Sequence, residues 1–277
     1  MTEERPSVDG AGTRRGNVRP LISRVSREPL AAKVPEIAAV FWLLKLLTTA
    51  GGEAASDYLA LHNVIVGGAI EVLLLLIALV AQFSTRRYFA PAYWFLALAI
   101  AIAGTGAADT MHLHMGVPYA GTTAFWAIVL ATIFWQWHRT EHTLSIHSIT
   151  TRRREVYYWA TVFATFALGT AVGDLTATPL HLGYLSSAIL FAGIILIPAV
   201  GWWRFRLNEV VAFWFAYVVT RPIGASLADY FSKPKAISGI NFGDGPTAAV
   251  AIFAVAILVA YVSVTRRDIQ ASEAAQG

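Results

Sequence analysis

The sequence predicts an all-α membrane protein: eight transmembrane helices from four parallel helical-hairpin repeats, with both termini cytoplasmic. Three observations lead there. Of 277 residues, 56% are hydrophobic and only 14% are charged, where soluble domains carry about a quarter. Eight apolar stretches approach the roughly 20 residues that one helix needs to cross a bilayer core. A motif also returns four times with fixed internal spacing: an aromatic residue, Trp, nine residues, Gly, four residues, Asp. Its copies are Phe41-Trp42 with Gly52 and Asp57, Tyr93-Trp94 with Gly104 and Asp109, Tyr158-Trp159 with Gly169 and Asp174, and Phe213-Trp214 with Gly224 and Asp229. Recurrence this strict marks a repeat protein.

Residues 1–33 are polar, rich in Arg, Gly, Pro and Ser, and lack the apolar run of a signal peptide. They are expected to form a disordered basic cytoplasmic tail. The transmembrane domain then covers 34–265, with spans near 35–59, 61–83, 91–110, 117–137, 156–176, 181–203, 209–231 and 246–265. Pairing them gives repeats at about 34–87, 88–142, 153–206 and 207–267, followed by a short cytoplasmic tail, 268–277. The motif occupies the first helix of each pair. Most basic residues lie in the first tail or follow a second helix, as in Arg86-Arg87, Arg139, Arg152 to Arg154, Arg204, Arg206 and Arg266-Arg267. The opposite loops hold Lys233 and Lys235, and Lys45 and Arg221 fall inside helices. The positive-inside rule therefore places both termini in the cytoplasm. The net charge of +4 reflects that topology rather than a nucleic-acid patch. The absence of cysteine excludes disulfides and thiolate-bound zinc. Two-helix repeats share one orientation, so they are related about an axis along the membrane normal. All four motif aspartates then sit near the outer face, about 22 Å above their Trp at 1.5 Å per residue.

The four Trp–Gly–Asp motifs resemble those of a family of bacterial membrane proteins defined by tandem two-helix repeats of unknown function, each with a characteristic Trp. The resemblance covers about residues 34–265. It implies the eight-helix layout and a bacterial inner membrane, and it brings no activity with it.

Within each motif, Gly and a small residue four places on form a pair: Gly52/Ser56, Gly104/Ala108, Gly169/Gly173 and Gly224/Ala228. Such pairs let helix backbones approach closely, so the glycines read as packing residues. Trp42, Trp94, Trp159 and Trp214 fall near the cytoplasmic interface, where Trp is enriched, and read as structural. Asp near a helix C-terminus opposes the macrodipole, so the aspartates need a reason. Either each caps the following helix, or together they ring an outer mouth as carboxylates do in cation pathways.

Stepping back by fours from Asp57 gives Glu53, Thr49 and Lys45, a polar stripe along one helix face. The equivalents are Thr105, Ala101 and Ala97, then Thr170, Phe166 and Val162, then Ala225, Arg221 and Tyr217. Charge persists in repeats 1 and 4, which is where a site is expected. Ionisable groups in a bilayer are costly and point to function, with a partner to be named. Lys45 and Glu71 lie at similar computed depths and are expected to pair. Arg221 precedes Pro222, a kink former, and is expected to neutralise Glu53 or Asp57, either when no cation is bound or as a fixed tie between two helices.

Glu53, Asp57 and Asp109, with His112 and His114 nearby, offer a nitrogen and oxygen donor set suited to divalent metals. His138, Glu141 and His142 match H-x-x-E-H, but without a catalytic domain or third ligand the match reads as accidental. The combined expectation is a transporter of a small cation, a divalent metal ion being the favoured substrate, with proton coupling left open. Glu53, Asp57, Glu71, Asp109, Asp174, Asp229 and Thr49 would form its pathway, and Lys45 and Arg221 would balance charge. No resident cofactor is expected, and the partners are lipid, the cation and, left open, further copies of the chain. Two alternatives stand beside this: a membrane hydrolase with metal held by His112, His114, His181 and Asp109, and a sensor or scaffold whose charges only hold the bundle together.

Overall fold

The structure is a computed structural model that describes residues 32–269. Most of the expected tails, residues 1–31 and 270–277, lies outside the described residues. Among the described residues the regular structure is entirely helical: α1 (Ala39–His62), α2 (Val64–Ser84), α3 (Ala90–Asp109), α4 (Tyr119–Glu141), α5 (Arg152–Ala177), α6 (Tyr184–Ile194), α7 (Leu196–Phe205), α8 (Glu209–Ser232) and α9 (Asp244–Thr265). Helices α6 and α7 are two halves of one rod broken at Ile195. Pro198 explains the break, because its ring lacks the N–H that would bond the Ile194 carbonyl four residues back. Eight rods result, as the sequence predicts.

Six rods are long and apolar enough to cross a membrane: 64–84, 90–114, 152–177, 184–205, 209–232 and 244–265. The other two fall short for visible reasons. Helix α1 carries Lys45, Glu53 and Asp57, and α4 is diluted by Thr, Trp and Gln. The first hairpin turns at Asn63, whose side chain accepts hydrogen bonds from the Ile65 and Val66 amides at 3.1 and 3.0 Å. This is an N-cap, and it ends α1 three residues later than expected.

The motif helices α1, α3, α5 and α8 form an inner ring, each packed on the next and α8 back on α1. Each second rod leans on the motif helix of the following repeat: α2 on α3, α4 on α5, α6–α7 on α8, and α9 on α1. The four hairpins thus close into a pseudo-fourfold ring.

Two interlocks make this closure. The first uses the motif glycines. A Cβ on Gly52 would stand 2.3 Å from Ala101, one on Gly104 2.9 Å from Phe166, one on Gly169 2.2 Å from Arg221, and one on Gly224 2.3 Å from Thr49. Every Gly therefore receives the residue eight places before the Asp of the next repeat, and only a missing side chain permits that approach. The second uses the aromatic pairs. Phe41 meets Trp94 at 5.7 Å between ring centroids, Tyr93 meets Trp159 at 5.1 Å, Tyr158 meets Trp214 at 6.1 Å and Phe213 meets Trp42 at 5.9 Å. Aromatic pairs at these separations add to simple burial. The cycle closes one end of the axis with aromatic rings, and the Tyr93 and Tyr158 hydroxyls hydrogen-bond across it.

Two residues assigned to the tails belong to the packed body. Lys33 is buried against Glu155, and Asp268 is buried with Tyr88 as its partner.

Gly52→Val should lower the unfolding free energy in detergent by about 1–3 kcal/mol, the usual range for overpacking. Gly68→Ala, where nothing lies within 4 Å, should leave it unchanged or slightly raised. Chemical denaturation of the two variants side by side checks the interlock.

Candidate carboxylate site on the repeat axis

The aspartates are not helix caps. Asp57, Asp174 and Asp229 lie inside α1, α5 and α8, and Asp109 runs directly into a π-helical turn at Thr110–His114. The residues at the following N-caps are Asn63, Pro118, Gly183 and Gly243. Helical periodicity instead turns the motif stripes toward the axis, where successive residues stack in layers.

The layer four residues below the aspartates holds Glu53, Thr105, Thr170 and Ala225. Thr105 and Thr170 donate their hydroxyls to Glu53 Oε2 at 2.8 and 3.1 Å. In the fourth repeat Ala225 leaves room, and Arg221 rises into it from one turn lower. Its Nη2 stands 2.6 Å from Glu53 Oε2, with Thr105 Oγ1 at 2.5 Å and Thr170 Oγ1 at 2.8 Å, and its Nη1 donates to the Thr49 carbonyl at 3.3 Å. Arg221 is fully buried and Glu53 nearly so. The expected pairing of Arg221 with Glu53 is therefore direct, and all four inner helices meet at it.

Immediately above, the carboxylates of Glu53, Asp174 and Asp229 converge, with one oxygen from each lying within 4.8 Å of the others. Among the described residues this is the group that could hold a metal ion. Asp229 is 4% exposed, and its carboxylate has no hydrogen bond or ion pair among the described residues. Ser226 Oγ, also buried, lies unpartnered one turn below it on α8, beside Gly173 of α5. Asp57 is partly exposed and pairs with Lys233 at 2.6 Å, and Lys233 also reaches Asp244 at 3.2 Å. Burial alone would lower the Lys233 ammonium pKa, but Asp57, Asp229 and Asp244 overcome it and hold it above the usual lysine range. Asp109 lies within electrostatic reach of Asp57, Asp174 and Glu53. Carboxylates thus outnumber cations at this end of the axis.

Below the hub the character reverses. Lys45 Nζ is buried without a hydrogen-bond partner, 3.8 Å from the Tyr217 ring centroid and 5.0 Å from that of Phe166. Arg221 also lies over Phe166 at 5.0 Å. Thr49 Oγ1 is buried and unpartnered, and its carbonyl serves Arg221. Beneath these lies the aromatic cycle. The axis thus runs from carboxylates through a cationic layer to an aromatic floor.

Three expectations need correction. Lys45 does not pair with Glu71, which instead accepts a 2.6 Å hydrogen bond from Ser56 Oγ and presses its other oxygen against Gly106 of α3. The reason is the turn at Asn63: counted from there, Glu71 is level with Ser56, about 16 Å above Lys45 at helical rise. The histidines do not join the site. His112 Nδ1 bonds the Val117 carbonyl at 2.8 Å, and its ring stacks on Tyr119. Among the described residues, neither it nor His114, His181, Asp57 or Asp109 belongs to the converging group. The site also draws on every repeat rather than on repeats 1 and 4 alone. The H-x-x-E-H string is structural, since Glu141 is held by Arg153 and by Arg154 at 2.7 Å. Lys233 and the hydroxyl roles of Thr105 and Thr170 escape a reading that follows charge alone, although both threonines stand at the position equivalent to Glu53.

The family described as Repeat of Unknown Function (DUF347) matches residues 92–143, 157–208 and 212–268, more than half of the chain. The first hairpin lies outside these stretches but carries the same motif. No curated protein and no solved structure matches the chain.

Breaking the hub from either side should be severe. Glu53→Gln or Arg221→Met alone should destabilise by about 3–5 kcal/mol, because each strands a buried charge, while the double variant should recover much of the loss. Lys45→Met, which removes an ammonium without a carboxylate partner, should be neutral or stabilising. Unfolding of the four variants in one detergent checks both statements.

Proposed function

The chain belongs to the DUF347 repeat family, whose description names no activity, and from its carboxylate site we propose that it transports a small cation, a divalent metal ion before others, across the bacterial inner membrane. One observation carries this reading: carboxylate oxygens from three repeats converge within 4.8 Å on the axis, among them one of Asp229, which is buried and makes no hydrogen bond or ion pair among the described residues. An uncompensated carboxylate in such a place is costly, and a cation relieves that cost. When ionised, Glu53, Asp174 and Asp229 set against Arg221 leave two negative charges, which one divalent ion neutralises. All the donors are oxygens, including the Thr105 and Thr170 hydroxyls, and such sets suit Mg²⁺, Mn²⁺ and Ca²⁺.

In this reading all eight rods span the bilayer, and the basic residues keep both termini in the cytoplasm. The aspartate end faces outward. Its excess of carboxylates draws cations to the mouth, and Asp57, Asp109 and Lys233 line the approach. The ion binds Glu53, Asp174 and Asp229. Arg221 and Lys45 stop it from leaking inward, and Arg221 neutralises Glu53 when the site is empty. Glu71 carries the coupled proton: among the described residues it has no cationic partner, and its hydrogen bond from Ser56 connects it to the helix that bears Asp57.

Uptake of Mn²⁺, Mg²⁺ and Ca²⁺ into proteoliposomes tests this reading. The wild type should give saturable flux, and Asp229→Asn should weaken the cation's apparent affinity by about 100-fold or more, at least the loss seen when a group supporting a metal ligand is removed. Equal flux in wild type, Asp229→Asn and empty liposomes would dismiss the site. Glu71→Gln should preserve cation-dependent thermal stabilisation but flatten the pH dependence of flux. An unchanged pH profile would remove Glu71 from the coupling.

A further inference from the structure

The tryptophan end of the axis is covered by the segment that leads into the first motif helix. Before α1, residues 32–38 cross that end and bond to three separate parts of the chain. The Tyr88 amide donates to the Ala32 carbonyl at 3.2 Å, the Lys33 amide to the Ile149 carbonyl at 3.2 Å, and the Glu36 amide to the Asp268 carbonyl at 2.8 Å. These partners follow α2, precede α5 and follow α9. Val34 packs into the same core as Phe41, Tyr93, Trp94 and Tyr158, so the strap lies against the aromatic floor.

Its side chains are held by buried charge. Lys33 Nζ lies 2.5 Å from Glu155 Oε1 and donates to the Gln82 carbonyl at 3.2 Å. Gln82 Nε2 and Arg152 Nη1 donate to the same carboxylate at 3.1 and 3.0 Å. Lys33 and Glu155 are each 1% exposed or less. Burial pushes the Lys33 ammonium below its ordinary pKa although Glu155 pulls the other way. At the far side of the strap, the Tyr88 hydroxyl donates to Asp268 Oδ2 at 2.5 Å, and burial raises the Asp268 carboxyl pKa.

A permanent plug has no need of such groups, since apolar residues of similar size commonly replace a buried ion pair without loss of stability. An ion pair at the end of a short strap, by contrast, can be exchanged for hydration as a unit, and two conformations close in free energy are what a gate requires. We propose that residues 32–38 form the gate at the tryptophan end of the pathway, latched by Lys33 on Glu155. The latch is closed while the carboxylate site is reached from the aspartate end, and the strap lifts when the site discharges to the other side. This inference rests on the transport reading.

The chain has no cysteine, so introduced thiols are the only ones. Glu36→Cys with Asp268→Cys places a pair on residues whose backbones are already hydrogen-bonded, a spacing that a disulfide can span. With the pair oxidised, Mn²⁺ should still raise the thermal stability of the protein, while Mn²⁺ flux in proteoliposomes should stop and return on reduction. Flux unchanged by oxidation would overturn the gate. Absence of any Mn²⁺ effect on the wild type would instead count against the carboxylate site. In that event the latch is judged on Ala32→Cys, labelled with a water-soluble maleimide. Adding Glu155→Gln should raise the labelling rate at least tenfold, and an unchanged rate would overturn the latch.

Discussion

The ion pair between Arg221 and Glu53 is the constraint on which the rest of the structure depends. It joins the first and fourth repeats at 2.6 Å, and the threonines of the second and third bond to both partners. A buried guanidinium needs acceptors close by. Here a carboxylate, two hydroxyls and a backbone carbonyl from α1, α3 and α5 meet its two terminal nitrogens, while its Nε has no hydrogen-bond partner among the described residues. The glycines serve the same end. Gly169 makes way for the stem of Arg221 and Gly224 for Thr49, so the interlock that closes the ring also brings the hub together.

Most of the architecture was legible in the sequence because its signals are local. Apolar length gave the eight rods, and fixed motif spacing gave the repeats. The stripe at intervals of four from each Asp gave the residues that line the axis, including Arg221 opposite Glu53. What was not legible depended on where helices turn and how repeats meet. The turn at Asn63 puts Glu71 level with Ser56 rather than with Lys45. The cyclic contact of each Gly with the next repeat needs the ring closed before it can be seen. Following charge alone also made Thr105 and Thr170 read as positions where the stripe had been lost, although hydroxyls there are the natural partners of a carboxylate and a guanidinium. Histidines near the aspartate end drew attention by type, but His112 bonds the Val117 carbonyl and stacks on Tyr119 instead.

The fourfold repeat and its asymmetry have different roles. Features common to all four copies, the glycines and the aromatic pairs, build and close the bundle. Features that differ, at the layers four and eight residues below the aspartates, give the axis its chemistry. One carboxylate, two hydroxyls and one guanidinium occupy positions that strict symmetry would have filled four times over. A ring of four glutamates there would repel itself, whereas in the mixed set two hydroxyls and a guanidinium face the one carboxylate and the layer above it stays electron-rich. Below that layer stand the ammonium of Lys45, the guanidinium of Arg221 and the aromatic floor.

The most direct measurement is the position of a bound ion in the intact protein. Diffraction from crystals grown with Mn²⁺, collected at its absorption edge, locates the metal without reference to function. The account requires one anomalous peak among the carboxylates of Glu53, Asp174 and Asp229, lost in Asp229→Asn. A peak at His112 and His114, or no peak on the axis at saturating Mn²⁺, would contradict it.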